Sequence, residues 1–100
     1  MTVLESLKAA RAKIAHPQNW TQGQHARTKY GNPVSENSSL ATCWCIIGAL
    51  WAVNPEPYEA RILLGKVIGQ SVIAFNDAKD RTHAEVLNAF DRAIASLEGK

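Results

Sequence analysis

An apolar run of 14 residues from Leu40 to Val53 limits the possible folds of this chain more than any other segment. Apolar side chains would lie on nearly every side of a helix of this length, so the run predicts a central helix covered by other elements. It is shorter than the roughly 20 residues that cross a bilayer, so we expect no membrane span. A chain of 100 residues has room for one such core. The sequence therefore predicts a single domain over residues 1–100.

Three further helices are predicted from capping signals and apolar spacing. Their predicted extents are from Thr2 to His16, from Glu56 to Phe75 and from Thr82 to Gly99. Thr2 with Glu5, and Thr82 with Glu85, match the capping box, in which each side chain satisfies a free backbone donor of the helix start. Pro17 ends the first helix because the residue before a proline avoids the α region.

Two glycines in the third predicted helix, Gly65 and Gly69, are four residues apart and share a face. Glycine weakens a helix by about 1 kcal/mol relative to alanine, so we expect a compensating contact. The spacing predicts that another helix packs closely against this face.

The segment from His16 to Ser39 has no helical period and is rich in polar residues, glycine and proline. Residues 26–30 and Pro33-Val34, separated by Gly31-Asn32, could form a short β-hairpin with Pro33 on an edge strand. We therefore expect an all-α fold, a compact four-helix domain, with a long irregular loop between the first and second helices that could carry this hairpin.

The net charge is only +2, whereas proteins that bind a phosphate backbone usually carry a strong basic excess. The charge therefore argues against a nucleic-acid partner. The N-terminus lacks the apolar run of a secretory leader. Cys43 and Cys45 would point to nearly opposite sides of the second helix, so we expect them to be reduced and unbridged. These features predict a cytoplasmic protein without a membrane partner.

The densest polar cluster lies where the third predicted helix gives way to the fourth. Asn76, Asp77, Arg81, Thr82 and His83 place an amide, a carboxylate, a guanidinium, a hydroxyl and an imidazole at a helix N-terminus. The free N–H groups of such an end suit an anion. These residues are therefore candidates for binding a ligand.

The same cluster has a structural interpretation, and the sequence leaves both open. Thr82 would cap the fourth helix and Asp77 would cap the turn. Arg81 would pair with Asp77 or Asp80. Capping boxes are common and ligand sites are few, which favours this alternative.

His83, Cys45 and Trp20 are also candidates on chemical grounds. His83 could act as an acid–base group, with Asp77 or Cys45 as its partner. Trp20 stands in the polar loop, where it either pins the loop to the core or lines a pocket. No His, Cys or Asp spacing matches a metal site, and no glycine-rich phosphate loop is present, so we predict neither metal nor cofactor.

Several blocks together suggest a family. They are Thr2-Val3-Leu4-Glu5-Ser6-Leu7, Asn19-Trp20-Thr21-Gln22-Gly23, Cys45-Ile46-Ile47-Gly48-Ala49-Leu50, Phe75-Asn76-Asp77 and Arg81-Thr82-His83-Ala84-Glu85-Val86. In this order they resemble a family of small bacterial and phage proteins known only as a domain of unknown function. The resemblance implies a cytoplasmic bacterial or phage protein. It also implies that Trp20, Cys45 and the polar residues of the 76–83 turn recur in the family, and it implies no activity.

Two classes of function follow from these residues. The first is a binding or regulatory module that recognises a protein or a small polar ligand through the 16–39 loop and the 76–83 turn. The second is a small enzyme that uses His83 with Asp77 or Cys45. The first is favoured because no set of nucleophile, base and orienting group is recognisable. A cavity shared by Cys45 and His83 would favour the second.

Overall fold

The structure, a computed structural model, describes residues 1–99. These residues form five α-helices, one 3-10 turn and a small three-stranded sheet. In chain order the elements are α1 (Val3–Lys13), the 3-10 turn (Pro17–Asn19), β1 (Ala26–Arg27), β2 (Pro33–Val34), β3 (Cys43–Trp44), α2 (Ile46–Val53), α3 (Tyr58–Ile68), α4 (Val72–Asp77) and α5 (His83–Leu97). The fold is mostly helical, but it is not all-α, and the predicted number of four helices is wrong.

The first part of the apolar run is not helical. The predicted helix covered Leu40–Val53, whereas α2 begins at Ile46. Cys43–Trp44 instead pair with Ala26–Arg27 as strand β3, and Leu40 is 65% exposed. The prediction failed because a short apolar run has the same appearance in a buried strand and in a buried helix.

The polar loop carries the predicted β-hairpin. β1 pairs antiparallel with β2, with Ala26 opposite Val34, and with β3, with Ala26 opposite Trp44. The strand order β2-β1-β3 places Pro33 on an edge strand, where its missing N–H is tolerated. The hairpin is confirmed, and the third strand comes from the segment that was predicted to be helical.

The third predicted helix, Glu56–Phe75, is two helices with a sharp break. Gly69 has the left-handed φ of 71° that ends α3, and the Ser71 hydroxyl caps α4 by accepting from Ala74 N–H. A Cβ added to Gly65 would meet only an ordinary contact at 3.6 Å. The close helix approach predicted from Gly65 and Gly69 is therefore wrong.

The core lies between α1, α2 and α5, where Leu7, Leu50 and Phe90 are completely buried. α2 contacts α1, α3 and α4, which confirms that it is a central helix. Ile47 is only 2% exposed, whereas Trp44, in β3, is half-buried. The apolar run thus supplies both the middle of the helical core and one strand beside it.

Both predicted capping boxes are present. Thr2 and Glu5 exchange side-chain and backbone hydrogen bonds at the start of α1, and Thr82 and Glu85 do the same at the start of α5. Backbone N–H donation by Thr2 lowers the pKa of Glu5, and donation by Thr82 lowers the pKa of Glu85.

Candidate functional site

Asn76, at the end of α4, is the centre of a buried hydrogen-bond network. Its Oδ1 accepts from Trp20 Nε1 at 2.8 Å and from Ile46 N at 3.1 Å. Its Nδ2 donates to Thr21 O at 3.2 Å and to Asp77 Oδ1 at 2.8 Å. Asn76 is only 1% exposed, and its side-chain amide makes all four of the hydrogen bonds that it can make. Asn76 therefore joins the polar loop, the start of α2 and the end of α4.

The loop is held to the end of α4 by two more residues, which the sequence did not single out as site residues. Gln22 Nε2 donates to Asn76 O at 2.8 Å and to Ala78 O at 3.1 Å. Gly23 N donates to Asp77 Oδ1 at 3.0 Å. The last carbonyl groups of a helix have no N–H donor within the helix. The amide side chain of Gln22 can supply such a donor, and this was the available sequence signal for its role.

A pocket of about 200 Å³ opens beside this network. It is lined by Gly23, Gln24, His25, Cys45, Ile47, Ile73, Asn76 and Asp77. The loop, the start of α2 and one face of α4 each contribute a wall. A thiol, an imidazole and a carboxylate thus border one small concavity.

His25, which was not among the site residues predicted from the sequence, lines the pocket at the edge of the small sheet. Its carbonyl accepts from Cys45 N at 3.2 Å, one position beyond the pairing of β1 with β3. Its Nδ1 lies 3.0 Å from Glu36 Oε1, which orients the ring. Facing positions in an antiparallel sheet lie on the same side, so His25 and Cys45 are neighbours. The proximity of His25 and Cys45 follows from β3, which was not predicted from the sequence.

Cys45 is the N-cap of α2 rather than a residue inside the helix. Its Sγ accepts from Gly48 N at 3.2 Å, and the side chain is buried. Burial raises the pKa of the thiol, and the negative charge of Asp77 raises it further. The N–H groups of Gly48 and Ile47 lower the pKa, but the net shift is upward. The neutral thiol is therefore favoured. Cys45 and Cys43 are both free cysteines in the structure.

Comparison with known proteins gives one family. The sequence model of DUF6197, a family of unknown function, matches residues 1–96. The chain belongs to DUF6197. No curated protein and no solved structure is detectably similar to it. Membership of DUF6197 by itself assigns no activity to this chain.

The remaining predicted site residues of this DUF6197 chain lie outside the pocket. Thr82 Oγ1 accepts from Glu85 N at 3.1 Å as the cap of α5. His83 Nε2 donates to Ile14 O at 2.7 Å, since a carbonyl can only accept, and its ring lies 6.1 Å from that of Trp20. His83 thus connects α5 to the end of α1, and it does not line the pocket that contains Cys45.

Arg81 makes neither of the ion pairs expected of it. Its Nε donates to Phe75 O at 2.8 Å, and its Nη1 lies 3.4 Å from Glu85 Oε1. The expected pairing with Asp77 or Asp80 is wrong because the guanidinium stacks on the Phe75 ring, 3.8 Å from its centroid. Arg81 borders a different groove, on the α5 side of the domain.

Within residues 1–99, no group of three or more His, Cys, Asp and Glu side chains is arranged to hold a metal ion. In the same part of the chain, no helix has the length and apolarity needed to cross a membrane.

Proposed function

We propose that this DUF6197 chain is a binding module that takes a small ligand with a cationic amine in the pocket beside Asn76. The observation that carries the proposal is the state of the Asp77 carboxylate. Its Oδ1 is held by Gly23 N and Asn76 Nδ2, whereas its Oδ2 accepts no hydrogen bond within residues 1–99. A carboxylate oriented through one oxygen and free at the other is suited to a charged N–H donor.

The other walls of the pocket limit the size and character of the ligand. Ile47, which is buried, and Ile73, which is 45% exposed, both line the pocket. A short apolar group of the ligand could therefore pack against these two side chains. The Nε2 of His25 has no partner within residues 1–99 and adds a second polar group. A volume of about 200 Å³ suits a ligand of only a few heavy atoms.

The alternative, a small enzyme that uses His83 with Asp77 or Cys45, has less support. The Nε2 of His83 is engaged by Ile14 O, and the imidazole does not border the pocket. The raised pKa of Cys45 favours the thiol over the nucleophilic thiolate. A binding role requires only the neutral thiol as part of the wall.

The cellular setting is part of the proposal. The two free cysteines and the resemblance to small bacterial and phage proteins support a reducing, cytoplasmic location. A cytoplasmic ligand with an amine and a short apolar group is the kind of molecule that the pocket fits.

A titration with isobutylamine followed by NMR tests the proposal, with isobutanol as the uncharged counterpart. We expect the amine to shift the amide signals of Gly23, Cys45 and Asp77 with a Kd of about 1 mM, and isobutanol to bind at least about fivefold more weakly. Asp77→Asn keeps an oxygen for Gly23 N but removes the charge. It should weaken amine binding by about tenfold while the fold is unchanged.

Asp80→Asn is the matched control, because Asp80 lies in the same turn with a φ of 69° that asparagine also tolerates. It should leave the Kd for isobutylamine within about twofold of that of the unmodified chain. Equal binding of isobutanol and isobutylamine, or equal weakening by the two substitutions, would contradict a site built around Asp77.

A further inference from the structure

A second groove lies on the α5 side of the domain and is independent of the pocket beside Asn76. It has a volume of about 350 Å³ and runs along α5, with Phe75 and Ala89 in its floor. Arg81, Asn88 and Arg92 border it. Asn88 and Arg92 are four residues apart in α5, so their side chains lie in one row along the groove. Two guanidinium groups and an amide therefore face one concavity.

Both arginines are held in place by the protein. The Nε of Arg81 donates to Phe75 O at 2.8 Å, its guanidinium stacks on the Phe75 ring, and its side chain is only 18% exposed. The Nη2 of Arg92 donates to Val67 O at 2.8 Å, and this hydrogen bond connects α5 to the end of α3. Side chains that are already ordered lose less entropy when they bind a ligand.

The charges in the groove do not cancel. Glu85 is the one acidic side chain among the lining residues, and its Oε1 serves both Arg81 Nη1, at 3.4 Å, and Thr82 N, at 2.9 Å. Arg92 makes no ion pair within residues 1–99. The groove therefore keeps one uncompensated positive charge and several N–H donors.

We propose that this groove binds the oxyanion of a small molecule, a carboxylate or a phosphate, between Arg81, Asn88 and Arg92. Guanidinium N–H groups match the oxygens of both anions in geometry and in charge. Asn88 adds a neutral donor. The ring of Phe75 and the methyl group of Ala89 leave room for a short apolar part of the same molecule.

NMR titrations with inorganic phosphate and with succinate test the site and distinguish its two possible ligand groups. We expect at least one of the two anions to shift the amide signals of Asn88 and Arg92 at about 10 mM or below. The anion that binds more tightly identifies the preferred group. If neither anion shifts these signals at this concentration, the proposal is overturned.

Two substitutions are expected to act in opposite directions. Arg92→Gln should weaken binding by about tenfold through the loss of a charge-assisted hydrogen bond. Glu85→Gln should strengthen binding by about threefold, because it removes the competing carboxylate. Glutamine still completes the capping box with Thr82, so α5 should remain intact.

Arg61→Gln is the matched control, since Arg61 is exposed on α3 and does not line the groove. It removes the same charge and should change the Kd by less than about twofold. Equal weakening by Arg61→Gln and Arg92→Gln would mean that the anions respond only to net charge. A decrease in affinity with Glu85→Gln would equally contradict the site.

Discussion

At the scale of single residues, one glycine sets how closely the sheet and the helices pack. A Cβ added to Gly48, in the first turn of α2, would lie 1.9 Å from the backbone oxygen of His25. His25 immediately precedes β1 and its carbonyl oxygen accepts from Cys45 N, so this oxygen cannot yield as the end of a flexible side chain can. The close backbone approach predicted for Gly65 and Gly69 thus occurs instead at Gly48, between α2 and the start of β1.

Gly48→Ala should therefore destabilise the protein by about 3 kcal/mol or more, because the added methyl group forces α2 away from the sheet. Gly65→Ala is the matched control within a helix, since its new Cβ would meet nothing closer than 3.6 Å. It should stabilise the protein by about 0.5–1 kcal/mol through helix propensity. Urea unfolding measures both, and equal effects of the two substitutions would mean that the contact with His25 is readily relaxed.

At the scale of elements, the polar loop is attached to the helices by a side-chain network instead of a long sheet. Each strand is only two residues long, so the pairing of β1 with its neighbours supplies few hydrogen bonds. Asn76 and Gln22 add contacts between the loop and α4. The end of α4 is therefore as important as the sheet for the position of the loop, and it also shapes the pocket beside Asn76.

Asn76→Ala should cost at least about 2 kcal/mol, since it leaves Trp20 Nε1 and Ile46 N without their acceptor. Asn19→Ala is the control, because it removes one exposed hydrogen bond, to Thr42 O, from the same loop. It should cost less than about 1 kcal/mol. Thermal or urea unfolding gives both values. Similar costs for the two substitutions would show that the network around Asn76 contributes little.

At the scale of the whole molecule, the arrangement predicts that the loop and the helices unfold together. The radius of gyration of 12.4 Å is close to the roughly 13 Å typical of a compact domain of about 100 residues. Trp20 and Trp44 lie in the loop and sheet, and both pack against the helical core. A loop joined to the core in this way should not open separately.

We therefore expect urea unfolding followed by tryptophan fluorescence and by far-UV circular dichroism to give the same midpoint. Fluorescence reports on the loop and the sheet through Trp20 and Trp44, and on α2 through Trp51, whereas circular dichroism reports on all the helices. In Asn76→Ala the fluorescence change should move to lower urea than the helical signal. Separate midpoints in the unmodified chain would contradict a single domain over residues 1–100.

Residues close together in the chain were sufficient to predict the starts of α1 and α5 and the buried, apolar character of α2. Capping boxes and apolar stripes depend on residues three or four positions apart, so local chemistry was sufficient for them. The hairpin was also accessible, because its turn and its edge proline are local signals. The polar residues of the 76–83 turn were identified as chemically rich from their types alone.

The contacts that those residues make depend on segments that are remote in the chain. Strand β3 exists because Cys43–Trp44 meet β1, which lies about 16 residues earlier in the chain. Asn76 accepts a hydrogen bond from Trp20, which lies 56 residues away in the chain. Arg81 donates to Phe75 O and does not pair with Asp77. Pairings of this kind depend on which remote segments the core brings together. Neither residue type nor spacing encodes them, so the division of the predicted cluster among a buried network, a pocket and a groove appears only in three dimensions.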